Sequence, residues 1–243
     1  MKTTIVILAA GEGTRMNSSI PKSLHRVAGK PMLIHIVEAS SNIMPEQLIV
    51  VHSTKAANSI KKELTDENIV FVEQAKPLGT GHALKKAVAA INEKNKVLVL
   101  LGDVPLVKRE TINQLECSLA DNELTVLTAV VERPEGYGRI VRDSNGNVKA
   151  IVEESECTEE EKKIKEVNTG IMAFAPNKLE GWLKELNADN KKGEYYLTDA
   201  IKMAYDEGCT VGTISAESEM EVFGVNDKKG LAKAEQAVRE NKA

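Results

Sequence analysis

The stretch Thr3-Thr4-Ile5-Val6-Ile7-Leu8-Ala9-Ala10-Gly11-Glu12-Gly13-Thr14-Arg15-Met16 decides the fold. Residues 3–8 form a continuous β-branched and aliphatic run without polar alternation, which predicts a strand buried on both faces. The run breaks into Ala9-Ala10-Gly11-Glu12-Gly13-Thr14, a loop whose small residues let the backbone approach a ligand closely. Working outward, Pro31 opens a helix with Met32, Leu33, Ile36 and Val37 on one face. Strands are expected at 47–52 and 69–72, with a polar helix over 55–64 between them. Thr80 is placed to cap a helix carrying Ala83, Leu84, Ala87, Val88 and Ile91 at helical spacing. A further buried strand, 96–101, stops at Gly102-Asp103. Strands and helices alternating at this interval predict a Rossmann-like α/β fold, a mostly parallel sheet flanked by helices.

The second half changes character. A long apolar strand at 124–131 precedes two alternating runs, 139–142 and 148–152, around Asp143-Ser144-Asn145-Gly146-Asn147. Asn-Gly between such runs signals a hairpin, so an antiparallel insertion is expected beside the parallel sheet. The charge run at 159–163 suits a short solvated helix. A strand at 167–175 and an amphipathic helix at 176–186, with Leu179, Trp182, Leu183 and Leu186 inward, follow. Thr198 is expected to cap a helix through Tyr205 that Gly208 ends. Leu231, Ala234 and Val238 are spaced for a last surface helix from residue 227.

The formal net charge of -4 gives no electrostatic footprint for nucleic acid or an anionic membrane. No apolar run approaches the roughly 18–20 residues that span a bilayer, and the first residues show no cleavage site of a signal peptide. Cys117, Cys157 and Cys209 are odd in number and far apart, and the four histidines lack zinc-binding spacing. These features predict a cytoplasmic protein.

Three features point to phosphate chemistry. The glycine loop after the first strand offers backbone N–H groups to an anion, or is a flexible surface turn. It is no dinucleotide fingerprint, because Met16 stands where the third glycine belongs, and no Walker-type loop occurs. Arg15 and Lys22 lie on the same segment, where ligands bind in open α/β sheets; taken singly, either is a solvated cation. Asp103 ends an apolar strand at the same sheet edge and suits Mg²⁺, or it caps the helix after Pro105.

The loop motif is followed by Pro21-Lys22-x-Leu24-His25, Ala28-Gly29-Lys30-Pro31-Met32, Leu78-Gly79-Thr80-Gly81-His82-Ala83 and Leu101-Gly102-Asp103-Val104-Pro105. Gly136-Tyr137-Gly138-Arg139, Ile151-Val152-Glu153, Asn168-Thr169-Gly170, Gly193-Glu194-Tyr195-Tyr196-Leu197-Thr198-Asp199 and Gly224-Val225-Asn226 complete an ordered set from residue 5 to about residue 228. This set resembles the sugar-1-phosphate nucleotidyltransferases. Within them it resembles the uridyltransferase half of the bifunctional N-acetylglucosamine-1-phosphate uridyltransferase/glucosamine-1-phosphate acetyltransferases.

The resemblance implies a nucleotide-diphospho-sugar transferase fold over residues 1–229, with 230–243 a terminal helix and the start of a linker. It implies an enzyme that joins UTP to N-acetylglucosamine 1-phosphate with Mg²⁺, releasing pyrophosphate and supplying cell-wall precursor. Leu8, Ala9, Ala10, Gly11, Leu101, Gly102 and Asp103 would line the nucleotide, and Gln74, Gly79 and Thr80 would read the uracil. Arg15 and Lys22 would hold the triphosphate; Asp103 and Asn226 would hold the metal. Gly138, Glu153, Asn168, Tyr195 and Asn226 would contact the amino sugar. The family's second half, a left-handed β-helix that transfers acetyl groups, does not follow Ala243, so acetyl transfer is not expected. That β-helix is the family's trimerising element, so the oligomeric state stays open, with a monomer as one outcome. Leu101 stands where many members carry tyrosine, and Glu12 where many carry lysine or a neutral residue. A sister enzyme with another sugar phosphate or pyrimidine nucleotide remains an alternative, as does a nucleotide-binding module without turnover.

Overall fold

The computed structural model describes residues 1–240. In chain order the elements are β1 (Thr3–Ala9), β2 (Arg26–Val27), β3 (Lys30–Pro31), α1 (Met32–Ser40), β4 (Gln47–His52), α2 (Ala57–Glu63), β5 (Ile69–Glu73), α3 (Thr80–Ala87) and β6 (Lys96–Leu101). There follow α4 (Arg109–Ser118), β7 (Leu124–Val130), β8 (Arg139–Arg142), β9 (Val148–Val152), β10 (Glu166–Phe174), α5 (Leu179–Glu185), α6 (Asp199–Asp206), β11 (Val211–Ser215) and α7 (Lys228–Glu240).

The main sheet runs β11-β7-β10-β6-β1-β4-β5. β1 lies parallel between β4 and β6, β4 is parallel to β5, and β11 is parallel to β7. β10 alone runs against its neighbours β6 and β7 on this path. The mostly parallel α/β expectation therefore holds.

β1 is apolar throughout because each face has its own core. Ile5 and Ile7 pack with Leu33 and Ile36 of α1, Ile60 of α2, and Ile112 and Leu115 of α4. Val6 points the other way, towards Ala83 and Leu84 of α3 and Trp182 and Leu183 of α5. The register carries Ala9 beside His52 and Leu8 beside Leu101, so the loops after β1, β4 and β6 leave one edge together. Gly102 makes that convergence possible: a Cβ there would lie 2.9 Å from the Ala9 Cβ and 3.1 Å from the Leu8 carbonyl oxygen.

The hairpin β8–β9 forms as expected and joins β10 through Val167 and Arg139. What turns β10 towards it is a bulge between Asn168 and Met172. Thr169 donates to the Leu127 carbonyl at 2.8 Å, and Asn168 Oδ1 accepts the Gly170 N–H at 2.9 Å. Asn168, the last residue paired with β7 before the bulge, donates its N–H to the Gly138 carbonyl at 2.8 Å.

Several expectations are corrected. Thr80 is not a cap but the first helical residue of α3; Gly79 precedes it, and the Thr80 hydroxyl accepts the Leu197 N–H at 3.3 Å. Thr198 makes no capping bond either, because its hydroxyl donates to Glu153 Oε1 at 3.0 Å. Asp103 does not cap α4, which starts at Arg109 after Lys108. The expected helix at 159–163 is a single 3-10 turn at Glu161–Lys163. The helix after Pro176 is delayed to Leu179 by Asn177, which adopts φ 64° and donates to the Glu93 carbonyl at 3.0 Å.

Three short strands, β2, β3 and β11, lie outside the expected elements. β11 is a half-buried edge strand with a glycine inside it. β2 and β3 form a small hairpin around Ala28 and Gly29, both at positive φ. α7 is anchored to that hairpin: Ala234 packs with Val27 and Met32, and Glu235 accepts the Ala28 N–H. Among the described residues no helix is long and apolar enough to cross a membrane.

Candidate active site

The converging strand ends open into a cleft of about 550 Å³. Leu8, Ala9, Ala10 and Gly11 line it with Leu101, Gly102 and Asp103, together with Gln74, Gly79, Thr80 and Glu153.

The charged centre lies on the loop after β1. Lys22 donates to Asp103 Oδ2, and to Asn226 Oδ1 at 2.7 Å. Arg15 donates to the same Asn226 oxygen at 2.9 Å, while the Asn226 amide nitrogen is held by the Gly224 carbonyl at 3.0 Å. A carboxylate oxygen and an amide oxygen thus converge on one ammonium, supplied by residues far apart in sequence. Two cations face one carboxylate, which leaves this centre net positive and suited to a polyanion. Gly13 sets the position of Lys22. It sits at φ 60°, and a Cβ there would fall 2.6 Å from the Lys22 Cβ, so the lysine stem crosses the loop only because Gly13 has no side chain. Glu12 also lines the cleft, but its carboxylate turns to Lys55 at 3.6 Å in an exposed pair that contributes little.

Within the cleft wall, Gln74 is nearly buried. Its amide nitrogen lies 3.1 Å from the Gly79 carbonyl and 2.9 Å from His82 Nδ1. Gly79 itself adopts φ 101° against the backbone of Tyr195.

Gly138, Glu153 and Asn168 also come together: Asn168 donates its N–H to the Gly138 carbonyl, and a Cβ on Gly138 would lie 3.6 Å from Glu153 Oε1. Of the expected residues, Arg15, Gly138, Asn168, Tyr195 and Asn226 do not line the cleft; Arg15 and Asn226 join it through Lys22, Gly138 and Asn168 lie beside Glu153, and Tyr195 turns to His82. Its ring packs 6.0 Å from His82, with Lys85 over its face, and it does not line the cleft. The adjacent Tyr196 does line it, as do Lys192 and Glu194. The Tyr196 hydroxyl is buried without a hydrogen-bond partner, and burial pushes its pKa up. The reason is strand-like alternation: consecutive tyrosines face opposite ways, and the sequence does not say which faces inward. Thr198 and His82, which brace Glu153 and Gln74, also escaped the sequence reading. Their signal was only adjacency to cleft residues.

Asp199, next to Thr198, has its pKa raised, first by burial and then by the charge of Glu153. A carboxyl raised in the folded state favours folding while protonated. That contribution is lost as pH climbs through the ordinary carboxylate range to the raised value. Asp199→Asn is therefore expected to have a higher Tm than wild type at neutral pH, with the difference closing towards about pH 3. Thermal scans at both pH values measure this, and a lower Tm at neutral pH would refute it.

Residues 5–197 match the family model of the MobA-like NTP transferase domain. The chain is 44% identical over 243 residues to the bifunctional protein GlmU of Alcanivorax borkumensis, spanning 100% of this chain and 53% of that protein. It is 46% identical over 235 residues to the bifunctional protein GlmU of Pseudomonas entomophila, covering 97% of this chain and 51% of the relative. With the protein of the same name from Chromobacterium violaceum the identity is 44% over 240 residues, 99% of this chain and 52% of the other. The chain thus spans about half the length of the curated relatives it matches. With a matched region that runs from β1 to the turn before α6 and takes in the glycine loop, Lys22, Asp103 and Glu153, this chain belongs to the MobA-like NTP transferase domain family.

Proposed function

We propose that the protein transfers a uridylyl group from UTP to N-acetylglucosamine 1-phosphate, yielding UDP-N-acetylglucosamine and pyrophosphate. One observation carries the reading: the Arg15–Lys22–Asp103–Asn226 centre borders a cleft that Gln74 and Glu153 also line. Gln74 with Gly79 and Thr80 takes the base, and Leu8 to Gly11 with Leu101 and Gly102 take the nucleoside and its first phosphates. Gly138, Glu153 and Asn168 take the amino sugar. In this reading Tyr196, rather than Tyr195, is the tyrosine on the sugar side.

The residues fit Mg²⁺, since Asp103 Oδ2 and Asn226 Oδ1 already share one cationic partner. Among the described residues no group of three or more His, Cys, Asp or Glu could hold a metal. Two protein oxygens completed by phosphates and water are what Mg²⁺ ordinarily takes. Bound there, the ion neutralises phosphate charge and helps orient the reacting groups.

A phosphate oxygen of the sugar phosphate forms the new bond to the α-phosphorus of UTP. The bond from that phosphorus to the bridging oxygen breaks, and its electron pair leaves on pyrophosphate. The attacking oxygen is already anionic near neutral pH, so no general base is required. The chain's part is positioning and charge: Lys22 and Arg15 bring fixed cations to the site of developing negative charge, held in place before substrate arrives. The sugar-side residues hold the acceptor in line.

The test is pyrophosphate release from UTP, with Mg²⁺ and N-acetylglucosamine 1-phosphate added separately and together. Release is expected only when all are present. Equal release with glucose 1-phosphate would reassign the sugar, and none with any sugar phosphate would leave a binding protein.

A further inference from the structure

We propose that His82 is a positioning residue for base selection: by accepting a hydrogen bond at Nδ1, it holds the Gln74 amide with its oxygen towards the bound pyrimidine. The inference rests on the reading above, in which Gln74 meets the base.

An amide nitrogen carries two hydrogens. Both have acceptors here, the Gly79 carbonyl at 3.1 Å and His82 Nδ1 at 2.9 Å. With its nitrogen committed, Gln74 offers the cleft only Oε1. Uracil presents an N–H at its ring position 3, whereas cytosine presents a lone pair there. An oxygen held in that orientation accepts from the first and repels the second. The Gly79 carbonyl alone occupies one hydrogen and leaves the other free to turn towards cytosine.

The arrangement requires a neutral imidazole with its proton on Nε2. The surroundings favour that form: burial first, then the charges of Lys86 and Lys85, push the His82 pKa down. His82 stands in the first turn of α3, and the Tyr195 ring packs against it at 6.0 Å. It does not line the cleft, so its influence on a base runs through Gln74. This gives the outward-facing Tyr195 a place in the design, as the wall that fixes the imidazole.

The experiment measures kcat/KM for UTP and for CTP, with the same sugar phosphate, in wild type, His82→Phe and His82→Asn. Tm is followed in each. Phenylalanine keeps the ring and removes the acceptor, whereas asparagine keeps an acceptor near the Nδ1 position. The preference for UTP over CTP is expected to fall about tenfold in His82→Phe, the equivalent of one hydrogen bond. It should return towards wild type in His82→Asn. His82→Leu supplies the same comparison if the phenylalanine variant does not fold.

A wild type that favours UTP while folded His82→Phe keeps the same ratio overturns this inference alone. Equal loss of preference in His82→Phe and His82→Asn does so too, because it makes His82 a packing residue. A wild type that uses UTP and CTP alike overturns the assignment of Gln74 to the base, and this inference with it.

Discussion

Lys22→Ala is expected to lower turnover about 10²–10³-fold while the protein stays folded, the usual cost of removing one preorganised electrostatic group. The lysine is the hub of the charged centre, donating to both Asp103 and Asn226 with only 14% of its side chain exposed. Without it, Asp103 faces the incoming phosphates with no cation of the chain in contact. Arg15 remains, but it reaches only Asn226 and lies at the exposed rim. The fold should survive because Lys22 belongs to a short 3-10 turn at Lys22–Leu24, held by backbone bonds from Leu24 to Pro21 and from His25 to Lys22. Lys22→Met separates charge from packing, since it retains the stem that crosses Gly13. Initial rates of pyrophosphate release at saturating substrates, read beside Tm, give the answer. Near-normal turnover in either variant would remove Lys22 from the chemistry.

The largest stability effect near the cleft is expected at Gly79. Its φ of 101° lies outside the range L-residues adopt comfortably, and an added Cβ would stand 2.6 Å from the Tyr195 carbonyl oxygen. That oxygen belongs to backbone, which has little room to give. Tyr195 N–H donates to the Leu78 carbonyl at 2.8 Å, and its own carbonyl accepts the Gly81 N–H at 2.9 Å. Gly79→Ala should therefore cost about 3 kcal/mol, from strain and the loosening of this pair of bonds. For a chain of this size that corresponds to a fall in Tm of about 6–12 °C. UTP binding should weaken as well, because the Gly79 carbonyl holds the Gln74 amide. A calorimetric scan showing a shift under about 2 °C would contradict the rigid join between 78–81 and 195–197.

How much of this was legible in the sequence depended on the range of the interaction that decided each feature. β1, β4 and β6 could be read because burial on both faces leaves an unbroken apolar run, a local signature. The hairpin β8–β9 could be read because its turn residues are adjacent. β11 could not: a five-residue edge strand with Gly212 inside it needs only half its surface covered and leaves no periodic trace. Thr80 and Thr198 were misread for a related reason. A hydroxyl before a helix has the local option of capping, but Leu197 and Glu153, brought close by the tertiary fold, claimed both. At the site, the motif blocks supply most of the residues that line the cleft. What they left undetermined was which of two neighbouring side chains turns inward, as at Tyr195 and Tyr196.

The bond from Lys22 to Asn226 spans 204 residues, and that from Arg15 spans 211. A chain made from its N-terminus at about 5–20 residues per second waits roughly 10–40 s between these two groups. Through that interval the first half of the Rossmann-like sheet can already be in place, with the glycine loop exposed and its two cations lacking their amide partner. Asn226 arrives directly ahead of α7, the helix that clamps the Ala28–Gly29 turn. The charged centre is thus completed only once residue 226 has been made, and a nascent chain stopped short of it carries Lys22 and Arg15 without the amide oxygen that gathers them.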